Sequence, residues 1–112
     1  MLELSKEVTK GIMFIRLEGD LNKNTFTSFS KELNYLLYTQ GIHYYVFNFK
    51  ELKSFDRNLF TIFQNVLTEI FLSCGKVVMC GLSRLQKKDF GDTKDKLFYV
   101  NEENEAFRYL SI

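Results

Sequence analysis

The chain has 112 residues, 46% of them hydrophobic and 16% aromatic, with twelve Phe, six Tyr, no Pro and no Trp. That length and composition suit one globular domain with a single core and exclude a disordered chain. Fifteen basic against fourteen acidic residues leave a net charge of +1, which argues against a polyelectrolyte contact with nucleic acid as the main task.

The charged, alternating start "MLELSKEVTKG" does not read as a signal peptide, and no apolar run approaches the roughly 20 residues that span a bilayer. A cytoplasmic location is the expectation. "LELSKEV" alternates with period two and predicts an edge strand. Lys10-Gly11 predicts a turn, and "IMFIRLE" a second strand paired with the first as a hairpin. "GDLNKNT", Gly19 to Thr25, breaks the pattern. Phe26, Phe29, Leu33, Leu36 and Leu37 then share one helical face, with Asn24 as the expected N-cap and Gly41 as the stop.

"IHYYVFNF" is apolar on both faces and predicts a central strand. "LFTIFQNVLTEIF" returns to helical spacing through Leu59, Phe63, Val66, Leu67 and Ile70, and Gly75 ends it. "KVVMCGL" predicts another central strand. A weak helical turn follows around Leu85 to Phe90, then a short strand "LFYV", then a final helix "EENEAFRYL" capped by Asn101. Glu102 and Glu103 suit its first turn, where the helix dipole favours negative charge. Cys74 and Cys80 lack metal-ligand spacing and read as small core residues.

The order β-β-α-β-α-β-(α)-β-α predicts an α/β domain over residues 1–112, with a mixed, mostly parallel sheet and an N-terminal β-hairpin. In such open sheets the loops at the carboxyl ends of central strands collect binding functions. "KSFDRNLF" is such a loop, and "GDLN" and "GLS" can share its edge.

Three stretches, "LEGDLN", "YVFNFKELKSFD" and "GKVVMCGLS", in this element order resemble the STAS family, the bacterial anti-sigma factor antagonists and their relatives. The likeness runs from about Leu4 to Leu110. In antagonists of that family the loop before the second long helix reads Asp-Ser-Ser/Thr-Gly. Its third residue is phosphorylated by a partner that is both kinase and anti-sigma factor, and the unphosphorylated form binds that partner. The matching positions here are Asp56, Arg57, Asn58 and Leu59. Asp56 is retained, and Asn58 stands at the phosphoacceptor position. Phosphate would bring about −1.5 to −2 charge to a helix N-terminus, and Asn has no hydroxyl to carry it. Ser54 and Thr61 are hydroxyls out of register.

The resemblance implies a non-enzymatic module that binds a protein partner, a kinase-like anti-sigma factor in the first instance. The alternative it leaves open is a STAS-like subunit of a transporter-associated or stressosome-type complex, where no phosphorylation is needed. The expected partner surface comprises Asp20, Asn22, Ser54, Asp56, Arg57, Asn58 and Leu59, with Thr61, Gln64 and Asn65 on the exposed face of the second helix.

Each residue also has a plainer role. Asp56 can N-cap the helix that begins at Arg57, and turn chemistry accounts for Asp20 and Asn22. Arg57 is a cation near a helix N-terminus, which is locally unfavourable and hints at an acidic partner. Asn48, in an apolar strand, needs a hydrogen bond, expected under the loop. His43 has no companion at ligand spacing. Ser83 and Ser54 carry no nucleophile-elbow motif, and Gly75 and Gly81 lack the spacing of a phosphate loop, so neither a catalytic set, a metal nor a cofactor is expected. Glu102, Glu103 and Glu105 fit capping better than acid–base work. "KKDFGDTKDK" is nearly neutral and reads as a solvated face.

Overall fold

The computed structural model describes residues 1–90 and 96–110. Leu2–Thr9 (β1) and Ile12–Leu21 (β2) pair antiparallel. Lys10 and Gly11 join them, both at positive φ (55° and 79°), the two-residue turn whose twist matches the strands it links. Helix α1 (Lys23–Asn34) runs into a π-helical turn at Tyr35–Thr39 and stops before Gly41, at φ 68°. Then come β3 (Tyr44–Phe55), a 3-10 turn (Arg57–Leu59), α2 (Phe60–Leu72), β4 (Lys76–Cys80), α3 (Arg84–Phe90) and β5 (Leu97–Val100). A second 3-10 turn (Glu103–Ala106) leads into the short α4 (Phe107–Leu110).

The strands lie in the order β1-β2-β3-β4-β5, parallel from β2 onward. Strand alternation sorts the side chains onto two faces. Met13, Ile15, Leu17, Tyr45, Phe47, Phe49, Val77 and Met79 pack under α1 and α2. Ile12, Phe14, Val46, Val78 and Cys80 pack under the C-terminal segment through Ala106 and Leu110. Both faces of β3 and β4 are therefore covered, which is why their sequences carry so few polar positions. Phe63 sits at the centre of the larger core. Its ring centroid lies 5.3–6.2 Å from those of Phe26, Phe29, Phe47, Phe49, Phe55 and Phe90.

Several expectations are corrected. Asn22, not Asn24, caps α1: its Oδ1 accepts from the amides of Asn24 (2.9 Å) and Thr25 (3.1 Å), and Thr25 Oγ1 accepts from the Asn22 amide (2.9 Å). This reciprocal box fixes the helix start two residues earlier than the apolar stripe suggests. Strand β3 continues through Lys53-Ser54-Phe55, because the far end of β2 runs beside it as far as Leu21. Glu102 rather than Asn101 caps the C-terminal turn, with its amide donating to Glu105 Oε1 (2.9 Å). Cys74 is exposed and left-handed (φ 65°) after α2, not a core residue, whereas Cys80 is buried. Phe60 is buried, while Phe71 and Phe98 are half-buried at the core margins. The expected solvated run "KKDFGDTKDK" falls in part on residues 91–95, outside the described residues.

Candidate functional site

The carboxyl ends of β2 and β3 finish side by side, with Asp20 opposite Ser54 and Leu21 opposite Phe55. Ser54 Oγ donates to Asp20 Oδ1 at 2.7 Å, and the Asp56 amide donates to the Leu21 carbonyl at 2.9 Å. Thr25 Oγ1 donates to the Asp20 carbonyl at 2.9 Å. The "GDLN" and "KSFDRN" stretches thus form one stitched edge. The Ser54 hydroxyl, and secondarily the Met1 ammonium 3.3 Å away, hold the Asp20 carboxyl below the usual carboxylate range.

Asp56 occupies the N-cap position, and its Oδ1 accepts from the Asn58 amide at 3.0 Å. Phe55 and Phe60 on either side of the turn stack at 4.8 Å, with Phe90 of α3 edge-on to Phe60 at 4.6 Å. The chain reversal is therefore pinned at both ends by aromatic packing, which leaves the polar residues between them pointing outward.

Arg57 answers its own charge problem within the chain. Its guanidinium makes a two-pronged contact with Asp89 of α3, Nε to Oδ2 and Nη2 to Oδ1, both at 3.1 Å. The acidic partner that Arg57 hints at in the sequence is thus Asp89. The guanidinium side chain remains 78% exposed, so the pair is a surface tether. Gln64 is likewise engaged, its Nε2 donating to the Phe90 carbonyl at 3.3 Å. Leu59 is 2% exposed and belongs to the core, which removes its side chain from any partner surface. Asn22 is exposed only in part and is occupied as the α1 cap.

What remains free is a small set. Asn58, Thr61 and Asn65 are exposed, and among the described residues their side chains have no hydrogen-bond partner. Ile62, 45% exposed, joins them on the outer side of α2. Sequence reasoning missed it, although its place off the stripe formed by Leu59, Phe63, Val66, Leu67 and Ile70 is the signal that finds it.

A second polar cluster lies on the opposite face of the sheet. Glu103 accepts from Arg16 Nε and Nη2, both at 2.8 Å, and from Asn48 Nδ2 at 2.7 Å. Glu7 accepts from Arg16 Nη1 at 3.1 Å. Asn48 is thus bonded beneath the C-terminal turn and, through Oδ1, to the Lys50 amide at 2.9 Å, not under the 52–60 loop. The Arg16 hydrogen bonds hold the Glu103 carboxyl below the usual glutamate range against the opposing effect of burial. Glu7, Arg16, Glu103 and Phe107 line an open groove of about 590 Å³, but its polar groups satisfy one another, and it reads as a latch for the C-terminal segment. Glu103 therefore does more than cap a helix. His43 Nδ1 lies 3.0 Å from Ser73 Oγ. Among the described residues no three His, Cys, Asp or Glu side chains come together as metal ligands, and no helix is long and apolar enough to cross a membrane.

No family model matches the sequence. Solved structures do match it over nearly all its length. The anti-sigma factor antagonist SpoIIAA in its unphosphorylated form aligns with a TM-score of 0.79 at 19% identity, covering 100% of both chains. The chain has the STAS fold. SpoIIAA of Bacillus in its phosphorylated form aligns at 0.71 with 17% identity, covering 96% of this chain and 98% of that one. RsbS of Moorella thermoacetica aligns at 0.74 with 11% identity, covering 94% and 92%. At these identities the likeness concerns the fold. Within the STAS fold, the stitched edge around Asp56 is the end of the sheet where strands hand over to helix N-termini.

Proposed function

We propose that this chain is a non-enzymatic regulatory module of the anti-sigma factor antagonist kind, which binds a protein partner through the edge formed by Asp20, Ser54, Asp56 and Asn58 and the adjoining outer side of α2. The observation that carries the reading is Asn58. It stands exposed in the first turn after the Asp56 cap, free of intramolecular side-chain bonds among the described residues. Thr61, Ile62 and Asn65 extend the surface along α2. Neutral amides and a hydroxyl around one exposed apolar side chain suit a protein contact, where each polar group can find a partner.

Asn58 cannot accept a phosphate, so the partner-bound form is constitutive at this position. The natural partner is an anti-sigma factor with a kinase-like fold. The alternative reading is a STAS-like subunit of a transporter-associated or stressosome-type assembly. The absent hydroxyl at Asn58 supports that alternative, in which no phosphorylation is needed.

The test is capture from the native cell with wild-type protein and the Asn58→Asp variant. The proposal expects one specific partner captured by the wild type and depleted by the variant, because a carboxylate beside the Asp56 side chain repels what the neutral amide accepts. Equal capture removes the edge from the interface. Mass spectrometry of the native protein addresses the switch: a phosphate anywhere in Ser54–Thr61 overturns constitutive binding.

A further inference from the structure

The seven residues of α3 are anchored to the rest of the chain at several points. Ser83 and Gln86 cap its start reciprocally: Gln86 Oε1 accepts from the Ser83 amide (2.9 Å), and Ser83 Oγ accepts from the Gln86 amide (3.2 Å). Phe90 inserts between Phe55, Phe60 and Phe63, with centroid distances of 5.9, 4.6 and 5.3 Å. Arg57 grips Asp89, and Gln64 donates to the Phe90 carbonyl. The cap holds the N-terminal end of the helix, and the other anchors lie on its inner side or at its C-terminal end.

The outer side presents Arg84, Leu85 and Lys88, one continuous strip at i, i+1 and i+4. Leu85 is 72% exposed. Arg84 and Lys88 are exposed and meet no carboxylate within salt-bridge reach among the described residues, because Asp89, the one acid on the helix, is already taken by Arg57. A single exposed leucine is ordinary. A leucine between two cations uncommitted among the described residues, on a helix anchored from beneath, is a preorganised ridge.

We propose that this ridge docks an acidic segment of a partner protein, with carboxylates against Arg84 and Lys88 and an apolar side chain against Leu85. The proposal rests on the protein-binding reading above and extends it: the Arg57–Asp89 contact joins the ridge to the Asn58 edge, so one partner can cover both. Charge complementarity selects an acidic occupant. A lipid surface is disfavoured, because one leucine on a seven-residue helix offers little area to a bilayer. The neighbouring Thr61 and Asn65 need hydrogen-bond partners that hydrocarbon cannot supply.

The experiment uses the full chain and three probes: a synthetic helical peptide with Glu and Leu at helical spacing, the same peptide with Lys for Glu, and vesicles of phosphatidylserine and phosphatidylcholine. Two-dimensional NMR follows the amides of residues 84–88. The Glu/Leu peptide is expected to move these signals and those of Arg57. The Arg84→Glu/Lys88→Glu variant should bind it at least about tenfold more weakly, and Leu85→Ser about fivefold. All three sites are exposed, and an unchanged spectrum elsewhere verifies the fold. Equal binding of the Lys/Leu peptide, unchanged affinity in the charge-reversed variant, preferential binding to the vesicles, or concentration-dependent shifts at 84–88 without any probe each overturn the proposal, the last in favour of self-association. A native partner lost with Asn58→Asp but retained by the Arg84→Glu/Lys88→Glu variant refutes the ridge alone and leaves the edge standing.

Discussion

Replacing Asp56 with Ala removes the acceptor from the Asn58 amide while leaving the backbone bond from Asp56 to Leu21 in place. Loss of an N-cap side chain costs about 1 kcal/mol, and loss of a carboxylate at a helix N-terminus about 0.3–1 kcal/mol more. The cap bond is solvent-exposed, which puts both effects toward their low ends. The expected destabilisation is therefore about 1–1.5 kcal/mol, close to a tenfold change in the folded-to-unfolded ratio. Asp56→Asn keeps an acceptor oxygen and gives up only the charge, so about 0.3–0.5 kcal/mol is expected. Urea denaturation measures both. Amide exchange gives the local readout: Asn58 should exchange faster in the Ala variant and nearly as in wild type in the Asn variant. If the two variants are equally destabilised and Asn58 exchange is unaltered, the side chain does not hold the turn. Partner affinity separates the two roles of this residue. A pure cap predicts that Asn restores binding as well as stability. A direct contact by the carboxylate predicts that Asn restores stability only.

Phe63→Ala should cost about 3–5 kcal/mol, since the ring is fully buried among six others, and a midpoint shift smaller than that of Asp56→Ala would contradict its central place. Glu103 carries the pH dependence of the latch. Its folded carboxyl titrates below its unfolded value, so its contribution is complete above the ordinary glutamate range and is lost as pH falls through the lowered folded value. Wild type should therefore lose more stability than Glu103→Gln between about pH 5 and pH 3, and parallel losses would show the latch to be inert. Cys74→Gly should stabilise by about 1 kcal/mol in thermal denaturation, because the left-handed backbone at that position strains any side chain with a Cβ. An Arg57→Ala/Asp89→Ala double-mutant cycle should give a coupling of only about 0.2–1 kcal/mol, as for an exposed pair, and a value several times larger would mean that the tether is more than superficial.

The sheet and its two long helices were legible because period-two and period-3.6 patterns are local properties of the chain. The doubly apolar runs of β3 and β4 even carried their central position. The Asp56 cap was legible for the same reason, being a bond between a side chain and an amide two residues on. What escaped depends on distant elements. The extension of β3 to Phe55 is dictated by the tail of β2, which a polar "KELKS" sequence does not announce. The Arg57–Asp89 pair spans 32 positions and the Arg16–Glu103 pair 87, so neither pairing can be read from the local sequence. Leu59 entered the expected partner surface only through its place in the family motif, whereas its position on the apolar stripe of α2 already pointed to the core.

The binding edge is tested most directly by the affinity of the captured partner for wild type, Asn58→Asp and Asn104→Asp. Asn104 is exposed in the C-terminal turn, away from the edge, and controls for added charge alone. The account predicts at least about tenfold weaker binding for Asn58→Asp and wild-type affinity for Asn104→Asp. Equal affinity of all three proteins would contradict it.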